Sequence, residues 1–195
     1  MAASGLSGHR ENAGSRRYVA LLRGINVGGY KLIKMEALAK VFTSAGLRNV
    51  RTYLQSGNVI FDSSETDPRA LAKKIERKLA KSFGHEITVV ILDLAALAAL
   101  AKRNPFKKFD SEKNVMLCAV FFAADPPKLK LPLKSIPENL EVFAVRDGAA
   151  FVICRRKKSG WFGFPNNFVE KQFGVAATTR QWKTVQKIVA FARAA

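Results

Sequence analysis

The chain has 195 residues, with 33 Lys and Arg against 15 Asp and Glu, a formal net charge of +18. Apolar residues make up 48% and charged residues 25%, which suits a globular chain with a buried core and excludes a disordered, collagenous or coiled-coil one. No apolar run approaches the ~20 residues of a membrane span, so no membrane partner is expected. The charge is uneven. Residues 96–195 hold 18 basic and 7 acidic side chains, so the second half carries the field that attracts polyanions.

In chain order, residues 1–17 are rich in Ser, Gly, Ala and Arg without an apolar stretch, and read as a flexible N-terminal tail, not a secretory signal. Residues 18–25 (YVALLRGI) read as a strand, 26–31 as a loop, and 33–45 as a helix stopped by Gly46. Two β-rich runs, 50–55 and 58–62, flank Ser56-Gly57 as a hairpin. Asp67 caps a second helix with Pro68 at its first position, and 86–92 (EITVVIL) is a fourth strand. This β-α-β-β-α-β order is that of a ferredoxin-like, split β-α-β subdomain.

A linking helix capped by Asp93 ends at Pro105, and residues 114–123 form the next strand. Residues 126–138 read as a loop or one short helix. Residues 140–146 and 149–155 bracket Asp147-Gly148, a strong hairpin signal. Asn167 is the expected cap of a short helix ending near Gly174, and Thr178 or Thr179 the expected start of the last helix. The expected fold class is therefore α+β, with two ferredoxin-like subdomains (18–92 and 114–195) joined by a linking helix and loop (93–113). Strands such as 18–25, 87–92 and 115–120 are apolar on both alternate faces, so both faces must be covered, most simply by the partner half. One compact body follows.

The chemistry on offer is sparse. His9 and His85 are the only histidines, Cys118 and Cys154 sit in apolar runs, and no metal-ligand spacing or Walker loop is present. No metal and no cofactor is expected. The best site candidate is the first β-α loop, where Gly28 and Gly29 let a backbone approach a ligand and Arg23, Asn26 and Lys31 add polar and cationic groups. The hairpin residues Gln55, Ser56 and Asn58 form a second candidate. Arg180, read at an early helical position where a cation opposes the helix dipole, forms a third. A fourth is Arg155-Arg156-Lys157-Lys158 followed by Trp161, Phe162 and Phe164, for which a solvated charged loop is the simpler reading.

LLRGINVGG at 21–29, Met35, Gly46, VRTYLQSGNVIF at 50–61 and TTRQWKTV at 178–185 together resemble a bacterial family designated domain of unknown function 1697. In that family Asn usually follows the arginine of the last motif, where this chain has Gln181. The resemblance implies a cytoplasmic α+β protein of two ferredoxin-like subdomains. It marks Arg23, Asn26, Gly28, Gly29, Gln55, Ser56, Gly57, Asn58 and Arg180 as motif positions, and implies no activity, catalytic residue or cofactor. The leading functional expectation is a binding module for a small anionic or phosphorylated ligand at the Gly-rich loop. The alternatives are loop-based electrostatic nucleic-acid binding by the basic C-terminal half, and an enzyme without a histidine-based mechanism that uses Tyr53, an acidic group or a lysine.

Overall fold

RRYVALL is a run of bulky and β-branched side chains long enough for a central strand, and it forms β1 (Arg16–Leu22). The computed structural model describes residues 14–29, 31–109 and 111–194. The expected tail therefore falls mostly outside the described residues, and β1 begins two residues inside it. After β1 come α1 (Met35–Ser44), β2 (Arg48–Tyr53), β3 (Asn58–Ser63), α2 (Pro68–Phe83) and β4 (Val89–Asp93). Asp67 caps α2 by accepting from the Arg69 amide, and Gly84 closes it with a left-handed φ of 70°. Sheet 1 runs β2-β3-β1-β4, with every neighbouring pair antiparallel.

The second half begins with α3 (Leu94–Arg103), capped by the Asp93 side chain, and a single 3-10 turn at Lys107–Phe109. It continues with β5 (Val115–Phe122), β6 (Leu133–Ser135), β7 (Leu140–Arg146), β8 (Ala149–Arg155), α4 (Pro165–Phe173), β9 (Ala177–Gln181) and α5 (Trp182–Arg193). Sheet 2 runs β6-β7-β8-β5-β9, again antiparallel throughout. The β7–β8 turn has Asp147 and Gly148 at φ 53° and 71°, the pair of positive φ values that a two-residue hairpin loop needs.

Three local expectations are corrected. Residues 133–135 form the edge strand β6, not a helix, because Leu133 and Ser135 find backbone partners on β7. Phe164, not Asn167, stands at the N-cap of α4; Pro165 takes the first helical position, and Asn166 is turned into the core to accept from Thr179 Oγ1. Thr178 and Thr179 do not start the last helix. They lie on β9, which pairs with the open side of β5 (Thr178 opposite Phe121, Thr179 opposite Val120), and the helix begins only at Trp182. Two β-branched residues beside an unpaired central strand favour pairing over a helical turn.

The apolar residues sort into three layers. Tyr18, Leu22 and Phe61 of sheet 1 meet Leu38 and Phe42 of α1 and Leu71 and Ile75 of α2. The opposite face of sheet 1 (Val19, Leu21, Ile60) and the facing side of sheet 2 (Ala119, Phe121, Phe151) enclose α3 and α5 between them. The outer face of sheet 2, with Val120 and Val152, is covered by Val169 and Phe173 of α4. Both faces of both sheets are thus covered, as the doubly apolar strands require, but two helices share the central layer.

Phe106 anchors that layer. It is fully buried and its ring lies 5.3 Å from Trp182, 5.5 Å from Phe143 and 5.7 Å from Phe151. Residues 93–113 are therefore core as much as connection. Phe106→Ala should lower the unfolding free energy by about 3–5 kcal/mol in urea denaturation, a cost that a mere connecting loop would not show.

Candidate functional site

β9 carries Arg180 inward, to where the end of β1 meets the β2–β3 turn. The side chain is only 7% exposed. Its Nε donates to Asn58 Oδ1 at 2.6 Å. Nη1 donates to Thr178 Oγ1 (2.9 Å) and the Thr179 carbonyl (2.8 Å). Nη2 donates to the carbonyls of Ser56 (2.9 Å), Leu22 (3.1 Å) and Gly57 (3.1 Å). A guanidinium has five N–H donors, and all three of its nitrogens are engaged. Every acceptor is neutral. Burial pulls the pKa down to about 10, so the group stays charged at neutral pH and carbonyl dipoles supply the compensation.

The other hairpin candidates serve the same joint. Asn58 Nδ2 donates to the Tyr53 carbonyl and to Ser56 Oγ, which fixes its Oδ1 toward Arg180. Gly57, at φ 76°, lies so close to β1 that an added Cβ would stand 2.7 Å from Ile25 Cδ1 and 2.9 Å from Leu22 Cβ. Asn26 Nδ2 donates to the carbonyls of Gln55 and Ile33, and Asn26 Oδ1 accepts from the Ile33 amide, tying the Gly-rich loop to the hairpin tip. The structure thus brings Asn26, Gln55, Ser56, Gly57, Asn58 and Arg180 together, but as a closed joint with no guanidinium nitrogen left unbonded.

Arg23 turns the other way. It makes a two-point ion pair with Glu170 of α4, Nε to Oε1 and Nη2 to Oε2, both at 2.7 Å. Lys31 Nζ donates to the Glu86 carbonyl. Gly28 and Gly29 form the exposed tip of the loop, flanked by exposed Val27 and Leu32. Arg180 is a strand residue, so the helix-dipole argument for an anionic partner does not apply to it. Tyr53, proposed for an enzymatic role, packs its ring 4.7 Å from Phe191. Cys118 and Cys154 are buried, and the Cys118 thiol is pushed far up by its hydrogen bond to Cys154 and by burial. His9 lies outside the described residues. Among the described residues, no cluster of three His, Cys, Asp or Glu side chains could hold a metal ion.

A second feature was not legible in any one motif. At the junction of β9 and α5 lies a cleft of about 460 Å3, whose walls include Phe109, Met116, Phe162 and Trp182 and whose polar groups are Asn104, Glu112, Gln181, Lys183 and Gln186, one carboxylate among them. Gln181 is the N-cap of α5, yet its side chain makes no capping bond; its Nε2 reaches Met116 Sδ at 3.3 Å. The first-turn amides of α5 and the exposed Lys183 make that end of the cleft electropositive. The one sequence signal for it was the outward half of TTRQWKTV, since Arg180 points inward and Gln181 and Lys183 point out.

Two predictions follow from these contacts. Arg180→Leu should lower stability by about 3 kcal/mol or more in chemical denaturation, because it takes the donor from Asn58 Oδ1 and the Ser56 carbonyl and a second donor from the Leu22 and Gly57 carbonyls. Arg180→Lys should recover only part of that, since an ammonium has three donors and no planar fork. The second concerns acid. Partial burial pushes the Glu170 pKa up, but the Arg23 guanidinium and the Ala177 amide outweigh it, and the net shift is below the usual 4.5. The pair's stabilisation is therefore present above pH 4.5 and lost as pH falls through the depressed value. Glu170→Gln should melt below wild type at neutral pH, and the gap should close in thermal melts taken through that acid range.

The chain matches a family described as protein of unknown function (DUF1697) over residues 16–151. Its fold is similar to that of the conserved bacterial protein SP0830 from Streptococcus pneumoniae, at 23% identity and a TM-score of 0.65, covering 91% of this chain and 99% of that one. No curated protein matches the chain. Neither likeness assigns an activity, and at this identity the structural one speaks to fold alone. The family match spans well over half of the sequence and reaches from β1 into β8, and the chain belongs to the DUF1697 family of proteins of unknown function.

Proposed function

We propose that the protein is a binding module for a small planar ligand that carries an anionic group, held in the cleft at the start of α5. The observation that carries this reading is the pairing of aromatic walls (Phe109, Phe162, Trp182) with Lys183 and the uncapped amides of the α5 N-terminus in one cleft. The half-buried Phe109 and Phe162 offer ring surface for a flat ligand over the buried Trp182, Asn104, Gln181 and Gln186 offer amides for its edges, and the helix terminus suits its charge. The anionic character is the one expected from the sequence; the planar shape and the place are not. Arg23 of the Gly-rich loop is paired with Glu170, and Arg180 of β9 is bonded to the hairpin carbonyls.

The architecture supports a finer reading. Counted within each half, both sheets run second, third, first, fourth strand, a strand order that supports two ferredoxin-like subdomains spanning 18–92 and 114–195 with 93–113 between, the second differing in having the edge strand β6 where the first has α1. A cytoplasmic setting is supported by two free, buried cysteines.

Thermal shift and calorimetry with a panel of nucleoside monophosphates test the ligand reading. Wild type should be stabilised by at least one of them, and Lys183→Glu or Phe109→Ala should weaken that binding roughly tenfold or more, as loss of a charge-assisted contact or a ring face does. Arg23→Ala should lower the melting temperature and leave the ligand's increment intact. Binding lost in Arg23→Ala but kept in Lys183→Glu would return the site to the Gly-rich loop, and no stabilisation by any member of the panel would defeat the reading.

A further inference from the structure

The loop between β8 and α4 holds two large aromatic side chains out in solvent, with Trp161 78% and Phe164 61% exposed. Ile136, on the neighbouring β6–β7 turn, is 91% exposed. Apolar groups of this size do not face water without a cost, and a cluster of them marks a contact surface. The loop that carries them is firmly framed. The Lys157 amide donates to the Trp161 carbonyl at 2.8 Å, and the Gly160 amide to the Lys157 carbonyl at 2.9 Å. Arg156 and Phe162 form a bridge pair. Lys157 Nζ is bonded to Glu138, and Gly163 lies so near the Glu138 carbonyl that no Cβ would fit. The aromatic rings are therefore displayed by a braced loop, with little ordering left to do on binding.

The charges beside them divide in two. Arg155 lies near Glu112 and Glu141, and Lys157 pairs with Glu138. Arg156 and Lys158 have no carboxylate partner among the described residues; Arg156 lies over the Phe162 ring at 5.3 Å. Lys134 stands 65% exposed on β6, 3.9 Å from Glu141. Exposed rings interleaved with unneutralised cations, on a chain of net charge +18, match the two chemistries of an unpaired polynucleotide: bases that stack and phosphates that need positive charge. A duplex already stacks its bases on each other and could use only the cations.

We propose that this loop is a stacking platform for single-stranded nucleic acid, with Trp161 and Phe164 taking bases and Arg156 and Lys158 taking phosphates. The proposal does not depend on the ligand cleft, since none of these four side chains lines it.

The test is fluorescence anisotropy with a labelled single-stranded oligonucleotide and the matching duplex, at low and high salt. Wild type should bind the single strand more tightly than the duplex. Trp161→Ala/Phe164→Ala should weaken single-strand binding roughly tenfold or more and leave duplex binding within about twofold. Arg156→Glu/Lys158→Glu should weaken both and flatten the salt dependence. Phe109→Ala and Lys183→Glu, which address the cleft, should leave oligonucleotide affinity unchanged. Five of the six positions are exposed and Phe109 is half-buried, and circular dichroism melts check that each variant is folded. Equal affinity for single strand and duplex, or an aromatic double variant that binds as wild type, overturns the proposal. So does sedimentation showing that the double variant loses self-association while keeping oligonucleotide binding, which would make the patch a protein contact.

Discussion

A single guanidinium closes the seam on which the fold depends. Where β1 ends and the β2–β3 hairpin turns, Leu22, Ser56 and Gly57 present carbonyls that no strand partner in sheet 1 fully uses. A buried carbonyl without a donor costs free energy comparable to a lost hydrogen bond. Arg180 arrives from the far half of the chain and sets its Nη2 among all three, while Asn58 at Nε and Thr178 at Nη1 fix the plane of the guanidinium. The charge is buried without a counter-charge, so its solvation is rebuilt from dipoles. That arrangement tolerates little change: the acceptors must stay where the turn holds them, and the turn's shape depends on Gly57 lying flat against Ile25 and Leu22.

The same short motif serves two purposes because a strand alternates its side chains. On β9, Arg180 faces the seam while Gln181 faces outward, and Lys183 follows on the first turn of α5. Chemistry that looked like one composite anion site is therefore split across the backbone. The inward half is spent on holding the halves together. The outward half, with rings contributed by the linking segment and by the β8–α4 loop, remains open to solvent. Both sheet faces are covered among the described residues, so the surfaces left for contact lie at the rim.

Much of the architecture was legible from residue patterning, and the failures have physical causes. The Asp67 and Asp93 caps, the Pro68 start and the Asp147-Gly148 turn are local devices that act through the nearest few residues, and they appear where the chain predicts them. The strand at Ala177–Gln181 was hidden because what makes it a strand is the open side of β5, some sixty residues away in sequence, and not its own composition. Arg23 gave no sign of its partner for a similar reason, since Glu170 lies on a helix of the other half. The cleft draws its lining from 104–117, 162 and 181–186, three stretches with no shared pattern. Short-range chemistry can be read along the chain; pairings across the two halves cannot.

The central layer sets an order of assembly during synthesis. Phe191 of α5 packs at a tilt against Tyr53 and lies under Arg51, and the Ala192 carbonyl accepts from Arg17, so α5 helps to seal the first sheet. A growing polypeptide would carry Val19, Leu21 and Ile60 incompletely covered until α5 had left the ribosome. Such a nascent chain has a built-in interval of greasy exposure, and chaperone holdases act on intermediates of that kind.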